Sequence, residues 1–392
     1  MKILFSILWL GWSVAGLLAQ DERLPVAVKI NGQPATMFFD TGSAADFVLF
    51  QPSVKKFGLN FTPPLPTDQA SPGGVLLGLT ESCRLEVMGT NLSLRFKVLN
   101  IPAYMKYGGE GVLGWPGISG NILWLNLEKH ELLAVSNVPP ACLAWPHFRI
   151  CTNYEYLVLE LPTRNGVTPL LAIDSGSGYG VELGPERWQK WKSTHPRQPR
   201  SYEAYYSPSS GVIAKEEAWA ETILIGPLAL TGVPVKESSE DGTDYHVAPH
   251  TEYLGTLGLS ALKRLDVVLD GRHGLAYLHP RESAPVPYDH NRLGAVFIPA
   301  NRSAVDLVAS VAPDSPAFAA GIRNQDVLLA IDGLDTTQWR TDPKVLPLSR
   351  FWGCTAGTKY TLTLRRGASV FQAVVQLRNI ISPEALPVPG KE

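Results

Sequence analysis

The sequence predicts a mostly β protein in which two similar β-barrel lobes are followed by a smaller α+β module. Three observations predict this fold class. Strand-like alternation of apolar and polar residues fills most of the chain, short motifs recur there in one order, and the C-terminal part has a different pattern. A chain of 392 residues is long enough for two or three domains.

The composition excludes several classes of partner. The formal net charge is −2 and the charges are mixed along the chain, so we expect neither nucleic acid nor an anionic membrane surface as a partner. No pair of cysteines or cluster of histidines has the spacing of metal ligands, so we expect no metal and no cofactor.

The N-terminus has the pattern of a secretory signal peptide over residues 1–19. Lys2 precedes a long apolar run that ends at the small residue Ala19, after which we expect cleavage. The alternative is an uncleaved membrane anchor, because the run is nearly long enough to span a bilayer. Export to the exterior or the periplasm permits disulfides, and Cys142 and Cys151 are near enough in sequence to form one.

Hairpins and two short helices organise the region after the signal peptide. Asn31 and Gly32 form a turn between two alternating segments, and a second hairpin has its turn residues at 89–91. The segments PSVKKFGL and PERWQKWKS are the clearest helical patterns. All other periodic segments in this region favour strands.

A repeat indicates that one β lobe has been duplicated, giving lobes over 20–150 and 151–281. The aspartates Asp40 and Asp174 each end an apolar strand, and each is followed by a hydroxyl residue, a glycine and a serine. Two further landmarks follow each aspartate in the same order, SPGGVLLG and SPSSGVIA, then the G-x-L-G segments at 111–114 and 255–258.

A carboxylate at the end of a buried strand needs hydrogen bonds or a raised pKa, because burial disfavours its charge. A glycine two residues later permits close approach of another backbone. We expect the Thr41 and Ser175 hydroxyls to bridge to neighbouring backbone, and the Ser43 and Ser177 hydroxyls to bind carboxylate oxygens. Two such loops face to face would share one proton. The alternative is that each aspartate only closes a turn.

These motifs resemble the active-site loops of pepsin- and retropepsin-like aspartic proteases over residues 24 to 280. The resemblance implies a bilobal unit in one chain, with Asp40 and Asp174 as the catalytic pair. It assigns loop support to Thr41, Gly42, Ser43, Ser175, Gly176 and Ser177, and flap positions to Gly73, Gly74, Ser209, Ser210 and Gly211. The first flap segment lacks the tyrosine of pepsin-like enzymes, and the short lobes are closer to the retroviral type.

The C-terminal part begins after a Pro-rich linker at 282–291 and resembles a PDZ domain of exported bacterial proteases over 292–380, with a tail at 381–392. The resemblance rests on the segments VAPDSPA, AGI, DVL and IDG. It implies that an extended chain end binds at a sheet edge. The residues expected to receive that chain end are Leu293, Gly294, Ala295, Val296 and Phe297.

Taken together, these patterns predict an exported, bacterial aspartic endopeptidase whose substrates are peptides or proteins. The PDZ domain would recruit a substrate or a partner chain, or would dock onto the protease lobes and restrict access to the cleft. The alternative is an inactive binding protein with retropepsin-like lobes and a PDZ interaction module. The sequence contains neither the G-x-S-x-G motif of serine hydrolases nor the H-E-x-x-H motif of zinc proteases.

Overall fold

The computed structural model describes residues 12–13, 23–63, 76–100, 109–207, 211–238, 249–282, 288–301, 303–342 and 344–385. Apart from Trp12–Ser13, the predicted signal peptide lies outside the described residues. None of the helices in the described ranges combines the length and the apolarity needed to cross a bilayer.

The described chain is mostly β, as the sequence predicts. The strands of the first lobe and the segment before it are β1 (Trp12–Ser13), β2 (Pro25–Ile30), β3 (Gln33–Asp40), β4 (Phe47–Phe50), β5 (Phe61–Thr62), β6 (Leu76–Thr80), β7 (Cys83–Val87), β8 (Thr90–Leu94), β9 (Lys97–Leu99), β10 (Gly111–Gly114), β11 (Ile122–Asn126) and β12 (Glu131–Val135). The next strands are β13 (His147–Ile150), β14 (Val158–Glu160), β15 (Thr168–Asp174), β16 (Val181–Leu183), β17 (Arg200–Ser207), β18 (Gly211–Ile225), β19 (Leu228–Glu237), β20 (Thr251–Gly258), β21 (Leu265–Asp270) and β22 (Leu275–Pro280).

The C-terminal module adds six further described strands. They are β23 (Ala295–Pro299), β24 (Leu307–Val311), β25 (Val327–Ile331), β26 (Leu334–Asp335), β27 (Lys359–Arg366) and β28 (Ser369–Gln376). The α-helices are α1 (Gln51–Lys56), α2 (Trp115–Ile118), α3 (Pro185–Thr194), α4 (Leu259–Leu262), α5 (Pro316–Ala319) and α6 (Ser349–Trp352). Two 3₁₀ helices lie at Pro140–Ala144 and Pro383–Ala385.

The first lobe is a sheet of nine described strands in the order β5-β6-β9-β4-β10-β3-β2-β7-β8. Its first hairpin has the predicted turn, since Asn31 and Gly32 both have positive φ, as a two-residue hairpin turn requires. The next hairpin turns at Met88 and Gly89 instead of the predicted 89–91, because Thr90 already pairs with Val87. The carboxyl end of β3 therefore lies beside β10 in the middle of the sheet.

The second lobe belongs to a sheet of thirteen described strands that also includes strands from the first half of the chain. The order is β1-β17-β18-β19-β16-β20-β15-β14-β13-β22-β21-β11-β12. The pairing of β11 with β21, with Ile122 opposite Asp270, joins the end of the first lobe to the end of the second. The two lobes thus associate within one chain, and one apolar core runs through both.

The C-terminal module has a separate sheet and a separate apolar core. Its strands have the order β23-β24-β25-β27-β28, with β26 paired to β25. Helix α5 is capped by Ser315, the residue before it, whose hydroxyl accepts the Phe318 N–H at 3.1 Å. This arrangement is compatible with the PDZ resemblance, which stays a prediction.

The C-terminal module packs against the hairpin of β17 and β18. Trp219 lies in one apolar cluster with Ile380 and Ile381, so the first residue of the predicted tail is buried. The Asn291 side chain donates to the Tyr202 carbonyl at 2.8 Å, and the Ser201 hydroxyl donates to the Asn291 carbonyl at 2.7 Å. The predicted linker region therefore ends in an ordered contact with the second lobe.

The predicted disulfide between Cys142 and Cys151 is wrong. Both thiols are free and buried, and they lie in different apolar clusters. Cys142 packs with Val268 and Tyr277, whereas Cys151 packs with other residues beside β14 and β15. Burial raises the pKa of the Cys151 thiol to about 12, which disfavours the thiolate form.

Candidate active site

Each of the two predicted aspartates is the last residue of a central strand. Asp40 ends β3 and pairs in parallel register with Gly114, while Asp174 ends β15 and pairs with Gly258. The apolar residues before each aspartate, such as Phe39 and Ile173, are fully buried. Both carboxyl groups are therefore held at the end of a rigid strand, and the following residues must turn sharply away.

The glycines of the G-x-L-G segments make room for these turns. A Cβ at Gly114 would lie 1.9 Å from the Ala45 carbonyl oxygen, and one at Gly258 would lie 2.5 Å from the Tyr179 carbonyl oxygen. No side chain fits at such distances. The repeated glycine is thus explained by the chain that passes over it after each aspartate.

Thr41 and Ser175 lock the two loops together. The Thr41 hydroxyl accepts the Ser175 N–H at 2.9 Å and donates to the Ile173 carbonyl at 2.7 Å. The Ser175 hydroxyl accepts the Thr41 N–H at 3.1 Å and donates to the Phe39 carbonyl at 3.0 Å. Both hydroxyls are buried, so each of these bonds satisfies a group that has lost water. Both hydroxyls therefore bridge to backbone groups, as expected from the sequence, and the backbone groups belong to the opposite lobe.

Each carboxyl group is oriented by the loop that follows it. Oδ1 of Asp40 accepts the Gly42 N–H at 2.9 Å and the Ser43 N–H at 3.1 Å. Oδ1 of Asp174 is bound in the same way by Gly176 and Ser177, at 2.9 and 3.1 Å. These matching bonds favour the charged form of both carboxyl groups and fix their rotamers.

The serine hydroxyls do not bind the carboxylates, which corrects our expectation. The Ser43 hydroxyl donates to the Ala45 carbonyl at 3.2 Å. The Ser177 hydroxyl donates to Oε1 of Glu182 at 3.4 Å. The backbone N–H groups of the two serines already occupy Oδ1, so each hydroxyl turns to a partner further along the loop.

Each carboxyl group also lies against the glycine of the opposite loop. A Cβ at Gly176 would lie 2.4 Å from Cγ of Asp40, and a Cβ at Gly42 would lie 2.5 Å from Cγ of Asp174. Only hydrogen at these two positions lets the loops approach so closely. The two aspartates therefore share one small space between the lobes, where they can act on a single bound molecule.

The electrostatics of the pair are unequal. Burial raises the pKa of Asp40, against the opposing effect of the Gly42 N–H and of the Arg23 charge. Burial raises the pKa of Asp174 well above its usual range, and the negative charges of Asp40 and Glu182 raise it further. One proton is consequently retained by the pair at pH values where an exposed aspartate would have lost it.

The predicted flap positions are only partly described. Gly73, Gly74, Ser209 and Ser210 lie outside the described residues. Gly211 is the first residue of β18, where it pairs with Ser207 at the end of β17. Gly211 therefore lies at the far end of a long hairpin whose base touches the C-terminal module.

A buried polar cluster beside Asp174 was not anticipated from the sequence. It contains three glutamates, one lysine and two tyrosines: Glu182, Glu203, Glu217, Lys236, Tyr179 and Tyr288. Lys236 is nearly fully buried, and its ammonium lies 3.5 Å from Glu182. In the sequence, the charged run at 215–217 within β18 was the feature that could have indicated this cluster.

Two of the five residues predicted to receive a chain end already have a partner for their N–H groups. The N–H groups of Leu293 and Gly294 both donate to Oδ1 of Asn291, at 2.9 and 3.2 Å. Ala295, Val296 and Phe297 are buried in β23. The structure therefore fills this loop with a side chain of the same protein, which differs from the open loop we expected.

The comparisons with known proteins give a weak likeness of fold. No protein-family model matches the chain, and no curated protein matches it. The retroviral protease-like domain of Ddi1 from Leishmania major is a solved structure with which it shares 15% sequence identity. That likeness covers 30% of this chain and 94% of that domain, with a TM-score of 0.22. At this level, similarity to a retroviral protease-like domain carries no conclusion about activity.

Proposed function

We propose that the chain is an aspartic-type endopeptidase that cleaves peptide bonds with Asp40, Asp174 and one water molecule between them. The face-to-face placement of the two carboxyl groups, each against the glycine of the opposite loop, is the observation that supports this most. A purely structural turn needs only the Oδ1 contacts within each loop. A structural role for each turn would not explain why Thr41 and Ser175 join the two turns by hydrogen bonds.

The reaction would proceed by general acid–base catalysis. One carboxylate takes a proton from the water as its oxygen forms a bond to the peptide carbonyl carbon, and the other carboxyl group gives its proton to the carbonyl oxygen. The resulting tetrahedral diol then breaks its C–N bond. The nitrogen receives a proton from the first carboxyl group, while the second takes one back from a diol hydroxyl. The dyad returns to its starting protonation.

The C-terminal module is positioned to act on the second lobe. It contacts the hairpin of β17 and β18 through Asn291 and Trp219, far along the strands from the tip. This contact supports a role in holding that hairpin, in addition to recruiting a substrate or partner chain. We also propose that the protein acts after export, as its N-terminal pattern predicts.

The test is cleavage of a peptide library across a range of pH by the full chain and by Asp40→Asn. We expect cleavage by the wild type, inhibition by a statine-type transition-state mimic, and loss of cleavage in the variant with its fold intact by circular dichroism. Full activity in Asp40→Asn would refute the dyad. No cleavage by the wild type would favour the inactive binding protein.

A further inference from the structure

The two lobes match at the dyad loops but differ on β4 and β16, the strands that pair with the two G-x-L-G strands. In the first lobe Val48 of β4 pairs with Val112, whereas in the second Glu182 of β16 pairs with Thr256 at the corresponding position. Val48 is fully buried, and the Glu182 side chain is 13% exposed. An apolar residue of one lobe has thus been replaced by a largely buried acid in the other.

Glu182 is connected to the Asp174 loop by a hydrogen bond that the first lobe lacks. The Ser177 hydroxyl donates to Oε1 of Glu182 at 3.4 Å, while the equivalent Ser43 hydroxyl donates to a backbone carbonyl. Ser177 also donates its N–H to Oδ1 of Asp174. A single residue, Ser177, therefore links the Asp174 carboxyl group to a second carboxylate.

Oε1 of Glu182, which accepts the Ser177 hydroxyl, is also in contact with a buried lysine. Lys236 lies 3.5 Å from Oε1 of Glu182 and 3.7 Å from Oε2 of Glu203, and its ammonium lies over the ring of Tyr179. This cation compensates the cost of burying Glu182. Ser177 of the Asp174 loop and Lys236 therefore contact the same oxygen of Glu182.

Two more acids complete the surroundings of Lys236. Burial raises the pKa of Glu203 to about 7 and that of Glu217 to about 8, and the Tyr288 hydroxyl donates to Glu217 at 3.1 Å. At acidic pH these two acids hold protons. Lys236 remains in contact with Glu182, whose carboxylate also accepts the Ser177 hydroxyl of the Asp174 loop.

The first lobe carries a positive charge on its side of the dyad. The Arg23 guanidinium lies over the ring of Phe38, 5.1 Å from its centroid, two residues before Asp40. The Phe39 N–H also donates to the Leu24 carbonyl at 3.0 Å, which holds this segment against β3. The dyad is thus flanked by an arginine in one lobe and a glutamate in the other.

We propose that Glu182 is a positioning residue that makes the two aspartates unequal. It keeps the shared proton on Asp174 and leaves the negative charge on Asp40, with Arg23 acting in the same direction. A negative charge beside a carboxyl group favours its protonated form, and a positive charge favours its ionised form. Asp40 then is the base that takes the proton from water, and Asp174 is the acid. This assignment of roles rests on the proposed function.

The deciding experiment is a titration of the aspartate carboxyl carbons by ¹³C NMR in the full chain. The two signals are assigned by their loss in Asp40→Asn and in Asp174→Asn. We expect the later-titrating signal to be that of Asp174, and Glu182→Gln to lower its midpoint by about half a pH unit or more. A later-titrating Asp40, or an unchanged Asp174 midpoint in Glu182→Gln, would overturn the proposal.

A control variant separates this effect from general changes of the second lobe. Glu216 is on β18 but is paired with Lys192 and Arg200 on the other face, so Glu216→Gln should leave the Asp174 midpoint unchanged. If Glu182→Gln does not fold, the double variant Glu182→Gln, Lys236→Gln removes the buried cation together with its partner and should lower the Asp174 midpoint by a smaller amount, because a positive charge is lost with the negative one.

Peptide cleavage gives the second readout. In Glu182→Gln the alkaline limb of the kcat/KM profile should move to lower pH by the same amount as the NMR midpoint. A wild type that titrates as expected but cleaves nothing would refute the endopeptidase and leave the proton placement supported. A wild type that cleaves, with an unchanged midpoint in the variant, would refute the role of Glu182 alone.

Discussion

At the residue scale, two glycines and two hydroxyl groups determine the geometry of the dyad. Gly42 and Gly176 are the residues through which the loops touch, and each faces the carboxyl group of the other lobe. The hydroxyls of Thr41 and Ser175 then fix the separation of the loops through four buried hydrogen bonds. A change of one methyl group at this point is therefore expected to affect chemistry more than stability.

Gly176→Ala tests this expectation at the residue scale. Its Cβ would lie 2.3 Å from Oδ2 of Asp40, so the carboxyl group must move. We expect kcat/KM for peptide cleavage to fall by about 100-fold or more, with a loss of about 1–3 kcal/mol in the free energy of unfolding. The control is Gly184→Ala, whose Cβ would meet nothing within 4 Å. Activity of Gly176→Ala close to that of the control would contradict the arrangement.

At the scale of elements, the hairpin of β17 and β18 places two acidic side chains in the protein interior. Glu203 and Glu217 face inward toward Lys236, and Tyr288 reaches them from the segment before the C-terminal module. A buried carboxyl group with a raised pKa stabilises the fold while it is protonated. That contribution is lost as the pH rises through the folded-state pKa.

Glu217→Gln should therefore raise stability in a pH-dependent way. Burial raises the Glu217 pKa from 4.5 to about 8, so the wild type loses stability between these values, and glutamine keeps an acceptor for Tyr288 without the charge. We expect the variant to gain about 2–4 kcal/mol over the wild type on going from about pH 5 to pH 8.5, by urea unfolding. Glu216→Gln, which loses its contact with Lys192, should show no such gain.

At the scale of the whole molecule, several contacts among the described residues hold the parts together. The strands β11 and β21 join the lobes, Thr41 and Ser175 join the dyad loops, and the segment around His290 joins the C-terminal module to the rest of the chain. Nδ1 of His290 is bonded to the Tyr288 carbonyl at 2.9 Å, and Nε2 accepts the Ile380 N–H at 3.0 Å. This pattern requires the neutral imidazole.

Acidification should weaken that junction. Burial lowers the pKa of His290 from 6.5 to about 4, so its contribution to stability is complete above pH 6.5 and is lost as the pH falls toward 4. We expect the wild type to lose about 3 kcal/mol of stability relative to His290→Gln over this range, measured by thermal unfolding. The exposed His250→Asn should behave as the wild type does. Equal pH dependence in all three proteins would contradict this role of His290.

The sequence determined the parts of this protein that depend on local pattern. Apolar strands ending in Asp40 and Asp174, the glycine that follows each by two residues and the turn at Asn31 and Gly32 were all predictable, because strand period and turn chemistry act over a few residues. The mostly β fold class followed from the same signals and is confirmed.

The tertiary structure decided what depends on contacts between distant segments. Cys142 and Cys151 are close in sequence but lie in separate clusters, and the serine hydroxyls found partners other than the carboxylates. The cluster around Lys236 gathers side chains from several strands and from the segment after the linker. Partner choice for a buried polar group is set by which groups folding places within reach, and the order of residues along the chain does not specify that.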